Sequence, residues 1–203
     1  YNMYQQATSA PERLRIVQVL DGAVPFPPGI RVPDETIEWL RPDCVNTVRF
    51  FSEVVIEKAE LPVLDAISKW LRRARRWASY EDEALDRLGE QLKSHYLYQL
   101  YRVLIGWDRW DEDETEEELD WRDAERRHQE AVERYLGQLK PDTFDETIRD
   151  LETIAHQAHS VGETGTNWFN QLLQRLGEEH PDLAQQLIDR AIAEELTLRY
   201  HLG

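Results

Sequence analysis

The chain has 203 residues, 40 of them Asp or Glu and 24 Lys or Arg, for a formal net charge of −16. That length suits one domain or two small ones with a real core, and 41% hydrophobic with 10% aromatic residues is too rich for a disordered chain. So negative a chain does not wrap nucleic acid over its whole surface, and no apolar run approaches the ~18 residues of a membrane span.

Helical periodicity dominates from the start. A short helix is expected at about 10–20, with Leu14, Val17 and Leu20 on one face. Residues 22–33 hold four prolines and two glycines and read as a stiff, irregular connector. Within it, Pro25-Phe26-Pro27-Pro28 also has the composition of a proline-motif ligand. Asp34 caps a short helix that Pro42 is expected to stop, and Cys44 to about Glu60 form the next. Pro62 opens a helix to about Ala78.

Ser79 and Asp82 resemble a capping-box variant before a long helix striped by Leu85, Leu88, Leu92, Tyr96, Leu100 and Leu104. On that stripe Tyr96 is expected in the core, whereas Tyr98 and Trp110 are candidates for exposure. A second long helix is expected from about Glu114 to Leu139, with Trp121, Ala124, Ala131, Tyr135 and Leu139 inward. The pair would form an antiparallel hairpin. Pro141 precedes a helix whose inner face reads Phe144, Ile148, Leu151 and Ala155. After the loop Gly162–Thr166 comes a helix from about Asn167, and Pro181 starts a last one bearing Leu183, Leu187, Ala191 and Ile192. With no strand alternation, the expected fold class is all-α, an irregular array of about eight helices arranged as hairpins.

Four helices open after a proline followed by an apolar anchor, at Pro42/Val45, Pro62/Leu64, Pro141/Phe144 and Pro181/Leu183. Residues 141–202, with Glu178-Glu179-His180-Pro181-Asp182-Leu183 between two amphipathic helices, resemble HEAT-type α-solenoid repeats. The resemblance implies a protein-binding scaffold and carries over no catalytic residue. By analogy of fold, prokaryotic multidomain proteins, including defence or signalling ATPases, are expected hosts for such an array.

Charge divides the chain. Residues 1–105 carry 15 acidic and 14 basic side chains, and residues 106–203 carry 25 and 10. The expected organisation is an N-terminal helix and connector at 1–33, a near-neutral helical region at 34–105, and an acidic helical-repeat region at 106–203. Cys44 is the lone cysteine, which excludes an internal disulfide and suits a reducing, cytoplasmic setting. In the pattern Cys44, Val48, Phe51, Val55 it reads as a small buried hydrophobe. A first residue Tyr1 leads to the expectation of a processed protein or a piece of a longer one.

Two charged features stand out. Lys69, Arg72, Arg73 and Arg76 share one side of a helix whose other side carries Val63, Ile67, Trp70, Ala74 and Trp77. Such a cationic edge fits an acidic protein surface or nucleic-acid phosphate, and a merely solvated face is the plainer reading. From 108 to 120, nine of thirteen residues are acidic, among them Asp111, Glu112, Asp113 and Glu114 beside Trp110. Some complement a helix dipole, but nine exceed what a helix start needs. A docking patch for a basic surface, such as the basic helix of another copy, is the functional reading; the EF-hand pattern of a calcium site is absent.

Metal chemistry is thinly represented. Glu125 and His128 make one E-x-x-H pair where a di-iron bundle needs two, and Glu152, His156 and His159 share a helix face without a diagnostic zinc spacing. Neither a phosphate-binding loop nor a nucleophile elbow occurs. The expected function is a non-catalytic scaffold or sensor module for protein–protein interaction, through Lys69, Arg72, Arg73, Arg76, Trp110, Asp111, Glu112, Asp113 and Glu114, with no cofactor. The alternative is a helical subunit contacting nucleic-acid phosphates through residues 69–76.

Overall fold

A computed structural model describes residues 2–22, 33–78, 83–105, 121–163 and 167–201. Among them are ten α-helices and no strand, so the fold is all-α. The chain divides into two compact units, residues 1–99 and 100–203.

The first unit holds α1 (Asn2–Gln6), α2 (Ala10–Gly22), α3 (Asp34–Phe50), α4 (Leu61–Ala78), α5 (Glu83–Ser94) and the start of α6 (Tyr96–Leu104). Glu12 reaches back to the backbone N–H groups of Thr8 and Ser9, 2.8 and 3.2 Å away. That closes one half of a capping box on α2 and holds the Glu12 carboxyl below its usual range, the Thr8 N–H contributing most. Arg13 lies on α2 and clasps Glu60, the residue before α4, in a two-pronged ion pair. Beside it Tyr4 is buried edge-on to Phe50 at 5.5 Å, and burial, aided by the Glu60 charge, pushes its phenol up to about 12.

α4 is the core of this unit. Every residue from Leu61 to Ser68 is buried, and Trp70, Leu71 and Ala74 continue the seam. α2 lies against α4, and α3 and α5 also pack on it. Phe51 meets the Trp70 indole edge-on at 5.2 Å. Val48, Phe51 and Val55 are buried as the spacing predicts, whereas Cys44, expected in the same row as a buried residue, is only half-buried.

Two elements differ from expectation. Pro42 does not stop a helix: it lies inside α3, which runs unbroken to Phe50 and passes into a π-helical turn at Phe51–Val55. Pro42 and Glu38 are both exposed, so the bond that proline cannot donate to the carbonyl four residues back is missing on the solvent side of α3. The expected long helix at 80–105 instead breaks at His95. The His95 imidazole Nδ1 accepts the Tyr98 N–H at 3.1 Å and starts α6, while the Gln99 carboxamide donates to the Leu92 carbonyl at 2.9 Å across the break. This resets the helical phase. Tyr98 becomes fully buried and Tyr96 is 56% exposed, the reverse of the expectation.

The second unit holds the end of α6, then α7 (Trp121–Leu136), α8 (Phe144–Ser160), α9 (Asn167–Glu179), α10 (Pro181–Ala193) and a 3₁₀ turn at Thr197–His201. α7 packs against α9, and α9 against α10. α8 buries Phe144, Ile148, Leu151 and Ala155 as its periodicity predicts, and Ile154 and Ala158 as well. Among the described side chains of α7 the buried row is His128, Val132 and Leu136, one residue on from the expected Ala131 and Tyr135, which are only half-buried; the side chains of Trp121 and Ala124 lie outside the described residues. On α10, Leu183, Leu187 and Ala191 are buried but Ile192 is 65% exposed.

α8 and α10 end alike. The Glu163 N–H bonds the Ala158 carbonyl and the Gly162 N–H that of His159, with Gly162 at φ 80°. The Leu196 N–H bonds Ala191 and the Glu195 N–H bonds Ile192, with Glu195 at φ 52°. Both are Schellman motifs, the second without the glycine that tolerates a left-handed backbone. Arg190 spans from α10 to Asp145 of α8 at 2.7 Å, and Arg175 from α9 to Glu133 of α7 at 3.3 Å.

Candidate functional site

The basic edge of α4 follows from how that helix is buried. Its apolar side (Val63, Ile67, Trp70 and Ala74) is at most 2% exposed, which turns the opposite side outward. Lys69 and Arg73 are exposed there, and Arg72 is half-buried. The Lys69 ammonium pairs with Asp65 one turn earlier at 3.0 Å, an ion pair with one partner largely covered. The side chains of Arg76 and Trp77 lie outside the described residues, as do Trp110, Asp111, Glu112, Asp113 and Glu114 with the rest of the acidic tract.

Arg75 belongs to the same basic run but does other work. Its Nη2 lies 3.5 Å from the Leu85 carbonyl and 3.3 Å from Asp86 Oδ1 on α5. The guanidinium rests over Gly89, where a Cβ would sit 2.7 Å from that nitrogen and the flexible arginine head would have to shift. The sequence signal was a glycine inside a leucine-striped helix. Not every arginine of the run is therefore available as docking charge.

The trio Glu152, His156 and His159 is occupied by the chain's own C-terminal turn. The Glu152 carboxylate accepts the N–H groups of Thr197 and Leu198, each at 2.9 Å. His156 Nδ1 is 3.4 Å from the Thr197 hydroxyl, and the His159 ring stacks on Tyr200 at 5.9 Å. Leu198 is fully buried between these contacts. Among the described residues no group of three or more His, Cys, Asp and Glu is arranged to hold a metal ion.

His128, the other half of the E-x-x-H pair, is a core residue at 5% exposure. Its ring stacks on Trp168 at 4.9 Å and 9°, and its Nδ1 lies 3.2 Å from the Val103 carbonyl. Burial lowers its pKa, with the Arg102 charge adding to the effect. The neutral tautomer with Nδ1–H donating to Val103 satisfies that bond.

One exposed residue escaped the periodicity argument. Trp39 on α3 is 76% exposed, while Trp70 is 2% exposed. The signal was its phase, because it lies off the row formed by Ile37, Leu40 and Cys44. No described helix is long and apolar enough to cross a membrane. No protein-family model, curated protein or solved structure matches the chain.

Proposed function

We propose that this chain is a non-catalytic helical scaffold or sensor module of a larger prokaryotic assembly in the cytoplasm, mediating protein–protein interaction. Its docking surface is the basic edge of α4, formed by Lys69, Arg72, Arg73 and Arg76, and its partner presents carboxylates. The acidic tract around Trp110, Asp111, Glu112, Asp113 and Glu114 is the complementary surface, open to a second copy or to a basic partner. The observation that carries this reading is the division of labour on α4. The apolar side is committed to the core, while Lys69 and Arg73 remain at the surface. A rigid helix holding exposed cations favours electrostatic steering of an oppositely charged partner. The HEAT-like character of residues 141–202 is part of the same proposal, since stacked helical hairpins present extended binding faces.

The test is co-purification from lysate of the source organism. Wild-type protein is expected to recover a partner that Lys69→Glu/Arg72→Glu/Arg73→Glu loses, with recovery falling as salt rises. Equal recovery by both proteins contradicts the docking surface. Recovery abolished by nuclease assigns the edge to nucleic-acid phosphate instead.

A further inference from the structure

We propose that the outward face of α3 is a second docking surface, and that its occupant is an arginine-bearing helix of a protein partner. Asp34, Glu35, Glu38, Trp39, Pro42, Asp43 and Asn46 are all exposed, so this side of α3 is left to solvent. Trp39 is its centre at 76% exposure. An indole this open is the feature that binding hot spots are built on, and Pro42, one turn on, extends the apolar area at no conformational cost.

Charge selects the occupant. Glu35 and Asp43 stand one turn before and one turn after Trp39, and neither forms an ion pair among the described residues. Glu38 by contrast is paired with Arg41 at 2.8 Å. Glu35 lies in the first turn of α3, where the helix dipole favours an acid. Asp43 is in mid-helix, where no dipole accounts for it. An aromatic face between two carboxylates is matched by cations, and arginine matches it better than lysine because its planar guanidinium both stacks on indole and pairs with carboxylate. Eight residues separate Glu35 from Asp43, about 12 Å along the helix axis. A partner helix with arginines at i, i+4 and i+8 reproduces that spacing, with the central one on Trp39 and the outer two on the carboxylates. This surface has the opposite polarity to the edge of α4 and does not depend on it.

The test uses the whole chain and two fluorescent alanine-rich peptides of identical composition. One carries three arginines at four-residue spacing, and the other carries the same three side by side. Fluorescence polarisation is expected to show tighter binding of the spaced peptide. Trp39→Ala and Asp43→Arg, both at exposed positions and checked by circular dichroism, are each expected to weaken it by about tenfold or more. Equal affinity of wild type and both variants overturns the proposal, because binding then reports only the general acidity of the second half of the chain. Equal affinity for the two peptides overturns it as well. The triple reversal on α4 tests the other surface, so the two readings fail separately.

Discussion

Glu152→Ala tests whether the polar trio on α8 is a docking device for the C-terminal turn. The carboxylate accepts two backbone N–H groups at 2.9 Å, one of them from the buried Leu198. A hydrogen bond to a charged group contributes about 1.5–3 kcal/mol. Glu152 is half-buried, which places each bond at the low end, about 3 kcal/mol for the two. The turn lies beyond the last α-helix and can lift off without unfolding the unit, so the loss should be read directly in local opening. At about 1.4 kcal/mol per tenfold, exchange of the Thr197 and Leu198 amides should accelerate by about a hundredfold. Global stability should fall by a comparable amount, up to about 3 kcal/mol, because the closed turn is lost in the opened and the unfolded states alike. Glu152→Gln keeps one good acceptor oxygen but loses the charge, and should show about half the effect in free energy. Hydrogen exchange followed by NMR reads both amides directly. If Glu152→Ala leaves their exchange within about threefold of wild type, the carboxylate does not hold the turn and the reasoning fails.

Four further outcomes follow from the same geometry. Glu195→Gly should raise stability by about 0.5–1 kcal/mol in urea denaturation, because glycine relieves the left-handed backbone at φ 52°. Gly162→Ala should lower it by about 1 kcal/mol for the converse reason, at φ 80° where space is open and only the backbone objects. His95→Ala should cost about 1 kcal/mol by removing the acceptor that starts α6, whereas His95→Asp should retain most of the stability. His128 has a folded pKa below its ordinary value of 6.5. The unfolded chain therefore takes up its proton first. Stability from this site is full above about pH 6.5 and falls as pH drops through that value towards the folded one. His128→Phe, which keeps an aromatic ring against Trp168, should show a smaller drop in urea midpoint than wild type on acidification from about pH 7.5 to 5.

How far the structure was legible depends on whether local pattern or distant contact decides each element. α8 was legible to the residue: its four predicted inner positions are all buried, because a single 3.6-residue period governs a helix packed along its length. The break at His95 was not, since one imidazole-to-backbone bond overrides a leucine stripe that reads as continuous on either side. That one bond inverts Tyr96 and Tyr98. Pro42 misled in the opposite direction, because an exposed proline within a well-packed helix costs less than tertiary packing returns. On α7 the periodicity argument passed over His128 as polar, and so placed the inner face one residue away from Val132 and Leu136.

The candidate sites divide the same way. The amphipathic character of α4 was legible, and so was the outward position of Lys69 and Arg73. The inward turn of Arg75 is made against Leu85, Asp86 and Gly89 of the next helix, contacts that no local period encodes. The alignment of Glu152, His156 and His159 was legible as a face. Its cover lies about forty-five residues further along the chain, beyond the reach of spacing arguments.

The most direct test of the central claim is a polarisation titration of the labelled peptide of residues 108–120 against wild-type protein and Lys69→Glu/Arg72→Glu/Arg73→Glu. The account predicts binding by wild type that weakens as salt rises and that the triple variant loses, while a DNA duplex of equal charge binds no better. Equal binding by the two proteins, or preference of the wild type for the duplex, would contradict it.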